Sequence, residues 1–78
     1  MIIRGKEVTY TIHVLDKLLR GDHLDIINNI LKTGKWKRRS KKIYHVTSKN
    51  GVVIVVKELP DRYKVITIGG NYEKIYKM

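Results

Sequence analysis

The chain has 78 residues, with 17 Lys or Arg against 7 Asp or Glu, a net charge of +10 and no Cys. That length makes one domain, residues 1–78, with a small core, and the missing Cys excludes disulfides and thiolate metal sites. No apolar run approaches the roughly 18 residues needed to span a bilayer, and Met1-Ile2-Ile3-Arg4 is too short for a signal peptide, so a cytoplasmic address with no membrane contact is expected.

In chain order, Val8 and Tyr10 alternate with polar neighbours in a short extended segment over 6–10. Thr11 is placed to cap a helix. Ile12, Leu15 and Leu19, with Val14 and Leu18, give that helix an apolar face, and Gly21 is placed to end it. Asp22 caps a second helix, with Asp25 three residues on. Leu24, Ile27 and Leu31, with Ile26 and Ile30, form its buried face, and Lys32 and Gly34 are stop signals.

After Gly34 the period changes from helix to strand. Residues 36–47 read as one long strand whose early half is charged. Ser48-Lys49-Asn50-Gly51 is a hairpin turn. The five apolar residues 52–56 predict a central strand with both faces at least partly covered. Leu59-Pro60-Asp61-Arg62 is a second turn, with Pro60 pre-set for it. Over 63–68, Tyr63, Val65 and Thr67 alternate against Lys64, Ile66 and Ile68. Gly69-Gly70-Asn71 reads as another turn and 72–76 as a short last strand. The predicted fold is α+β, with two N-terminal helices packed on a three- to four-stranded antiparallel meander. Its other sheet face presents Lys, Arg, Tyr and His, a platform suited to RNA.

The most informative stretch is 32–46. Lys32, Lys35, Lys37, Arg38, Arg39, Lys41 and Lys42 crowd its first part around Trp36, and no acid occurs between Asp25 and Glu58. A charge run is commonly a solvated face; here the total charge and the interleaved Trp point to a polyphosphate partner. RNA is favoured over DNA. Lys57, Arg62 and Lys64 add charge around the second turn, with Tyr63 beside them.

Several short motifs resemble a known group. A Thr-x-His (Thr11, His13) begins the first helix, an Arg lies seven residues later (Arg20), the second helix ends in Leu-x-x-Gly (Leu31, Gly34), and a strand reads Val-Ile-Thr-Ile (65–68). Over residues 10–68 this resembles the small uncharacterised domains of the RelE/BrnT-like toxin superfamily, in the group with a histidine–alanine helix start. Val14 stands where that group has Ala. The resemblance implies a small basic α+β protein, an endoribonuclease activity and an acidic antitoxin-like protein partner.

The residues themselves set limits on chemistry. The acids Glu7, Asp16, Asp22, Asp25, Glu58, Asp61 and Glu73 are scattered, and the three His are far apart, so neither a metal site nor a cofactor is expected. Metal-independent RNA cleavage needs only a base, an acid and cations, because the 2′-OH attacks its own phosphate. His13 and Arg20 share one helical face with Asp16 and Lys17, and His45 lies on the first strand; these are the catalytic candidates. For His13 the plain alternative is an i, i+3 contact with Asp16. Arg38 and Arg39 must point to opposite sheet faces. Trp36 serves either base stacking or the helix–sheet seam. The rival function is a non-catalytic nucleic-acid-binding module, for DNA or RNA and compatible with a dimer, gripping phosphates through 35–42.

Overall fold

The structure, a computed structural model, describes residues 2–12, 14, 15 and 24–70. They form a six-stranded mixed sheet that curls into a half-barrel around one helix. The elements are β1 (Ile2–Ile3), β2 (Lys6–Tyr10), α1 (Leu24–Thr33), β3 (Lys35–Arg38), β4 (Ile43–Thr47), β5 (Val52–Glu58) and β6 (Arg62–Gly70). Strand order is β1-β2-β6-β5-β4-β3. All neighbours are antiparallel except β2 and β6, which run parallel with Tyr10 opposite Val65.

This corrects the expected two helices on a three- to four-stranded antiparallel meander. The N-terminal residues supply two strands rather than a lead-in. Arg4 and Gly5 both have positive φ (51° and 81°), and Ile3 pairs with Lys6. That is a two-residue hairpin whose twist suits the flanking strands. The long strand read over 36–47 is two strands, because residues 39–42 turn the chain back: the Arg39 and Ser40 amides both donate to the Ile43 carbonyl, at 2.8 and 3.3 Å. Gly69 and Gly70 continue β6 rather than turning. The strand expected at 72–76 lies outside the described residues.

Thr11 does act as a cap. Its hydroxyl accepts from the Val14 amide at 3.3 Å, and its carbonyl accepts from the Leu15 amide at 3.0 Å. Ile12, Val14 and Leu15 are helical. Val14 is fully buried, whereas Ile12, assigned to the apolar face, is 78% exposed.

The core lies on the concave face. Ile27, Ile30 and Leu31 of α1 pack there against Val8, Val46, Val52, Ile54, Val56 and Val65. Each such side chain removed from water is worth about 1.5–3 kcal/mol. β5 alternates buried Val52, Ile54 and Val56 with half-buried Val53 and Val55, so one face is fully covered and the other partly, as the unbroken apolar run predicts. In β6 the alternation breaks. Val55 faces Thr67 while Val56 faces Val65, which leaves Ile66 as an extra residue. This bulge shifts the phase, so Val65 and Ile68 both point inward and Thr67 does not. Bulges also increase local twist, which suits a curled sheet. No helix among the described residues is long and apolar enough to cross a membrane.

Candidate nucleic-acid interface

The alternation of β3 sorts the basic run into two sheet faces and a turn. Lys35 and Lys37 point outward; Trp36 and Arg38 point inward. Residues 39–42 form the exposed turn between β3 and β4. Trp36 is the hub of the inward set. Its indole N–H donates to the Leu31 carbonyl at 2.9 Å, satisfying a free carbonyl near the C-terminus of α1. Its ring lies 5.5 Å from Tyr44 and 5.4 Å from Tyr63, both tilted or edge-on. Trp36 therefore anchors the helix–sheet seam.

At one end of the half-barrel this aromatic group meets four charged side chains. The guanidinium carbon of Arg4 sits 4.5 Å from the Trp36 ring centre and 5.9 Å from that of Tyr44. Arg38 lies 5.2 Å from the Tyr44 ring centre. Its Nε and Nη2 donate to the Tyr44 hydroxyl oxygen at 3.2 and 2.5 Å, and that bond holds the Arg38 guanidinium above its ordinary pKa. Glu58 completes the group. Its Oε2 accepts from Lys6 Nζ at 3.3 Å and from the Tyr63 hydroxyl at 3.4 Å; its Oε1 lies 3.9 Å from Arg38 Nη2. Glu58 thus pairs with two cations, and the basic turn follows directly after Arg38. The Glu58 amide donates to the Lys42 carbonyl at 2.6 Å, which ties the turn to the cluster.

The outer face is different in kind. Lys37 is opposite His45, which is opposite Val55, which is opposite Thr67. Beside that row, Ile43 is opposite Lys57 and Lys57 is opposite Lys64. No Asp or Glu stands on the outer side of β3, β4, β5 or β6. No aromatic does either, so the expected platform of mixed cations and aromatics is divided: lysines outside, rings inside.

The predicted site residues fall accordingly. Lys35, Lys37, Lys57 and Lys64 share the outer face with His45. Arg39, Lys41 and Lys42 lie in the exposed turn. Trp36, Arg38 and Tyr63 belong to the inward cluster, with Tyr63 only 2% exposed. Arg62 is exposed at the start of β6, with its Nε 3.4 Å from Asp61. His13 and Arg20, and with them Asp16 and Lys17, lie outside the described residues. Among the described residues no three His, Asp or Glu side chains gather as a metal would require.

Sequence reasoning passed over Arg4, Lys6, Tyr44 and Glu58. A signal existed for the first two: Arg4-Gly5 separates apolar Ile2-Ile3 from the extended segment 6–10, as a hairpin turn does. For Glu58 the signal was its place as the first acid after the long acid-free stretch. No family model, characterised protein or solved structure matches the chain. The resemblance to toxin-superfamily domains rests on its short motifs alone.

Proposed function

We propose that the protein binds RNA in the cytoplasm, through the basic turn 39–42 and the rim formed by Arg4, Trp36, Arg38 and Tyr44. The observation that carries this reading is the Arg4–Trp36 stack beside Arg38, with Glu58 paired to Lys6 and Arg38. Forked guanidinium groups fit phosphate oxygens. Aromatic and guanidinium planes at the same place accept unpaired bases, which a duplex keeps stacked inside itself. Single-stranded RNA is therefore the expected ligand, and cleavage of it is the sharper form of the same reading.

A salt titration tests it. Log affinity for a single-stranded RNA should fall linearly with log salt, at a slope of about −0.7 per phosphate neutralised. Replacing Arg39, Lys41 and Lys42 by Ala one at a time should lower affinity in steps and flatten the slope each time. Binding that ignores salt, or all three replacements without effect, would contradict it.

The outer face favours a second reading. Lys37, Lys57 and Lys64 surround half-buried Ile43, Val53 and Val55 with no ring for a base to stack on. Such a face suits an acidic, partly apolar protein segment, as in an antitoxin-like partner. It would also grip a DNA backbone without reading bases, as a non-catalytic module does. Charge reversal at Lys57 separates the readings: it should abolish protein docking and leave affinity for RNA at the rim largely intact.

A further inference from the structure

At the end of β3 away from the basic turn, the C-terminus of α1 and the turn between β4 and β5 enclose an open groove of about 640 Å³. That is within the usual size of a small-ligand site. Asn29, Ile30 and Thr33 line its helix side, Lys35 and Thr47 its strand side, and Lys49 its turn side. No acid lines it among the described residues. Among the same residues, the side chains of Asn29, Lys35 and Lys49 have no hydrogen-bond or ion-pair partner. A helix C-terminus ordinarily repels anions, because its last carbonyls are left open. Here three of them are engaged. The Asn29 carbonyl accepts from the Thr33 hydroxyl at 2.8 Å, that of Ile30 from the Gly34 amide at 2.6 Å, and that of Leu31 from the Trp36 indole at 2.9 Å. The two lysines therefore set the sign of the groove.

These groups match a phosphorylated nucleoside better than a bare anion. Two ammonium groups suit a phosphate. The Asn29 amide carries a donor and an acceptor side by side, as a base edge does. The Thr33 and Thr47 hydroxyls suit a ribose, and Ile30 supplies apolar surface for a base. Inorganic phosphate or a small carboxylate would use the lysines and leave the rest idle. The groove is also placed to share a strand with the rim. Lys35 lines the one and Arg38 belongs to the other, three residues apart on β3, so they lie about 10 Å apart along it. Lys37 stands between them, and β3 is the last strand in the order, so its edge joins the two places. We propose that the groove is the second nucleotide subsite of one RNA-binding track. A single strand held at the rim follows the edge of β3 and sets a later nucleotide in the groove, with its phosphate at Lys35 and Lys49 and its base edge at Asn29. The proposal rests on the RNA-binding reading of the rim.

The experiment titrates the full chain against labelled single-stranded RNAs of about four and about ten nucleotides, reading affinity by anisotropy. The longer strand should bind more tightly, because it alone reaches both places. Lys49→Gln and Asn29→Ala alter exposed side chains, and Ala is a good helix former, so both variants should fold. For the longer strand only, Lys49→Gln should take about 0.7 from the salt slope and Asn29→Ala should cost about two- to tenfold in affinity. Arg39→Ala, in the basic turn, should weaken both lengths alike. If Arg39→Ala weakens binding while Lys49→Gln and Asn29→Ala leave the longer strand untouched, the subsite is overturned and the rim reading stands. Equal weakening of both lengths by Lys49→Gln would also overturn it, since the lysine would then act only as diffuse charge. Nucleoside monophosphates are the third ligand. If they saturate the groove, seen as shifts of the Asn29 and Lys49 amide resonances, while strand length brings no gain, the track is overturned and the groove belongs to a free nucleotide. Absence of binding by either strand at low salt would overturn both readings.

Discussion

Arg4 lies with its guanidinium carbon 4.5 Å from the ring centre of Trp36, although β1–β2 and β3 are at opposite ends of the strand order. The contact is possible because the sheet curls until its two edges approach. It joins the hairpin tip to the seam where α1 meets β3, and Trp36 is the chain's single tryptophan.

Tryptophan fluorescence therefore reports on this seam, the Arg4 contact included. Arg4→Ala should shift Trp36 emission and cost about 0.5–1 kcal/mol in urea unfolding. Arg4→Gly loses the same contact but relieves the positive φ of 51°, so it should be more stable than Arg4→Ala by about 1 kcal/mol. Equal stability of the two variants would mean that the hairpin is not held in the left-handed conformation.

Tyr10 predicts an alkaline limit to stability. Its hydroxyl donates to Asn28 Oδ1, tying β2 to α1. Burial pushes the phenol above its ordinary value of 10.0, and nearby Glu7 adds to this, while the bond to Asn28 opposes it. A raised pKa means the folded state favours the protonated form. The contribution is fully present below pH 10.0 and is lost as pH rises through the folded value. The stability difference between wild type and Tyr10→Phe, measured by denaturant unfolding, should be flat up to that pH and shrink above it.

Gly34 marks the closest approach of α1 to β4. A Cβ there would stand 2.6 Å from the Ile30 carbonyl oxygen and 2.9 Å from a Val46 methyl. Both neighbours are fixed, one by backbone and one by the core. Gly34→Ala should therefore cost about 1–3 kcal/mol in chemical denaturation. A loss under a few tenths would show that the helix end has room to move.

Lys57 and Lys64 face each other across β5 and β6. Like charges in directly opposed positions are destabilising. Lys64→Glu should raise stability by a few tenths of a kcal/mol, on the order of one cross-strand pair, as read from the unfolding midpoint. It should also weaken any polyanion bound to the outer face. A fold that is less stable after the change would mean another group already neutralises Lys64.

The later strands were readable because their signals are local. Ser48-Lys49-Asn50-Gly51 closes as expected: the Gly51 amide bonds to the Ser48 carbonyl at 3.1 Å, with Gly51 at φ 83°. Trp36 and Arg38 share a face, as strand alternation requires. The remainder depends on distance in the chain. Nothing near Glu7 announces that β2 will run parallel to β6 some fifty residues later. Nothing around Val65 shows that an extra residue at Ile66 will turn Ile68 inward. The rim was hidden for the same reason. Arg4, Lys6, Arg38, Tyr44 and Glu58 come from four strands and a hairpin tip, and each alone looks like an ordinary surface charge or packing aromatic.

The most direct test of the account is a fluorescence titration of Trp36 with a single-stranded RNA oligonucleotide at low salt, beside the same sequence in duplex DNA and a sulfated polysaccharide. The account predicts that RNA changes Trp36 emission saturably and at lower concentration than the other two, because bases and phosphates meet the Arg4–Trp36–Arg38 rim together. Equal binding of all three polyanions with Trp36 emission unchanged would contradict it and leave the rim as a structural clasp.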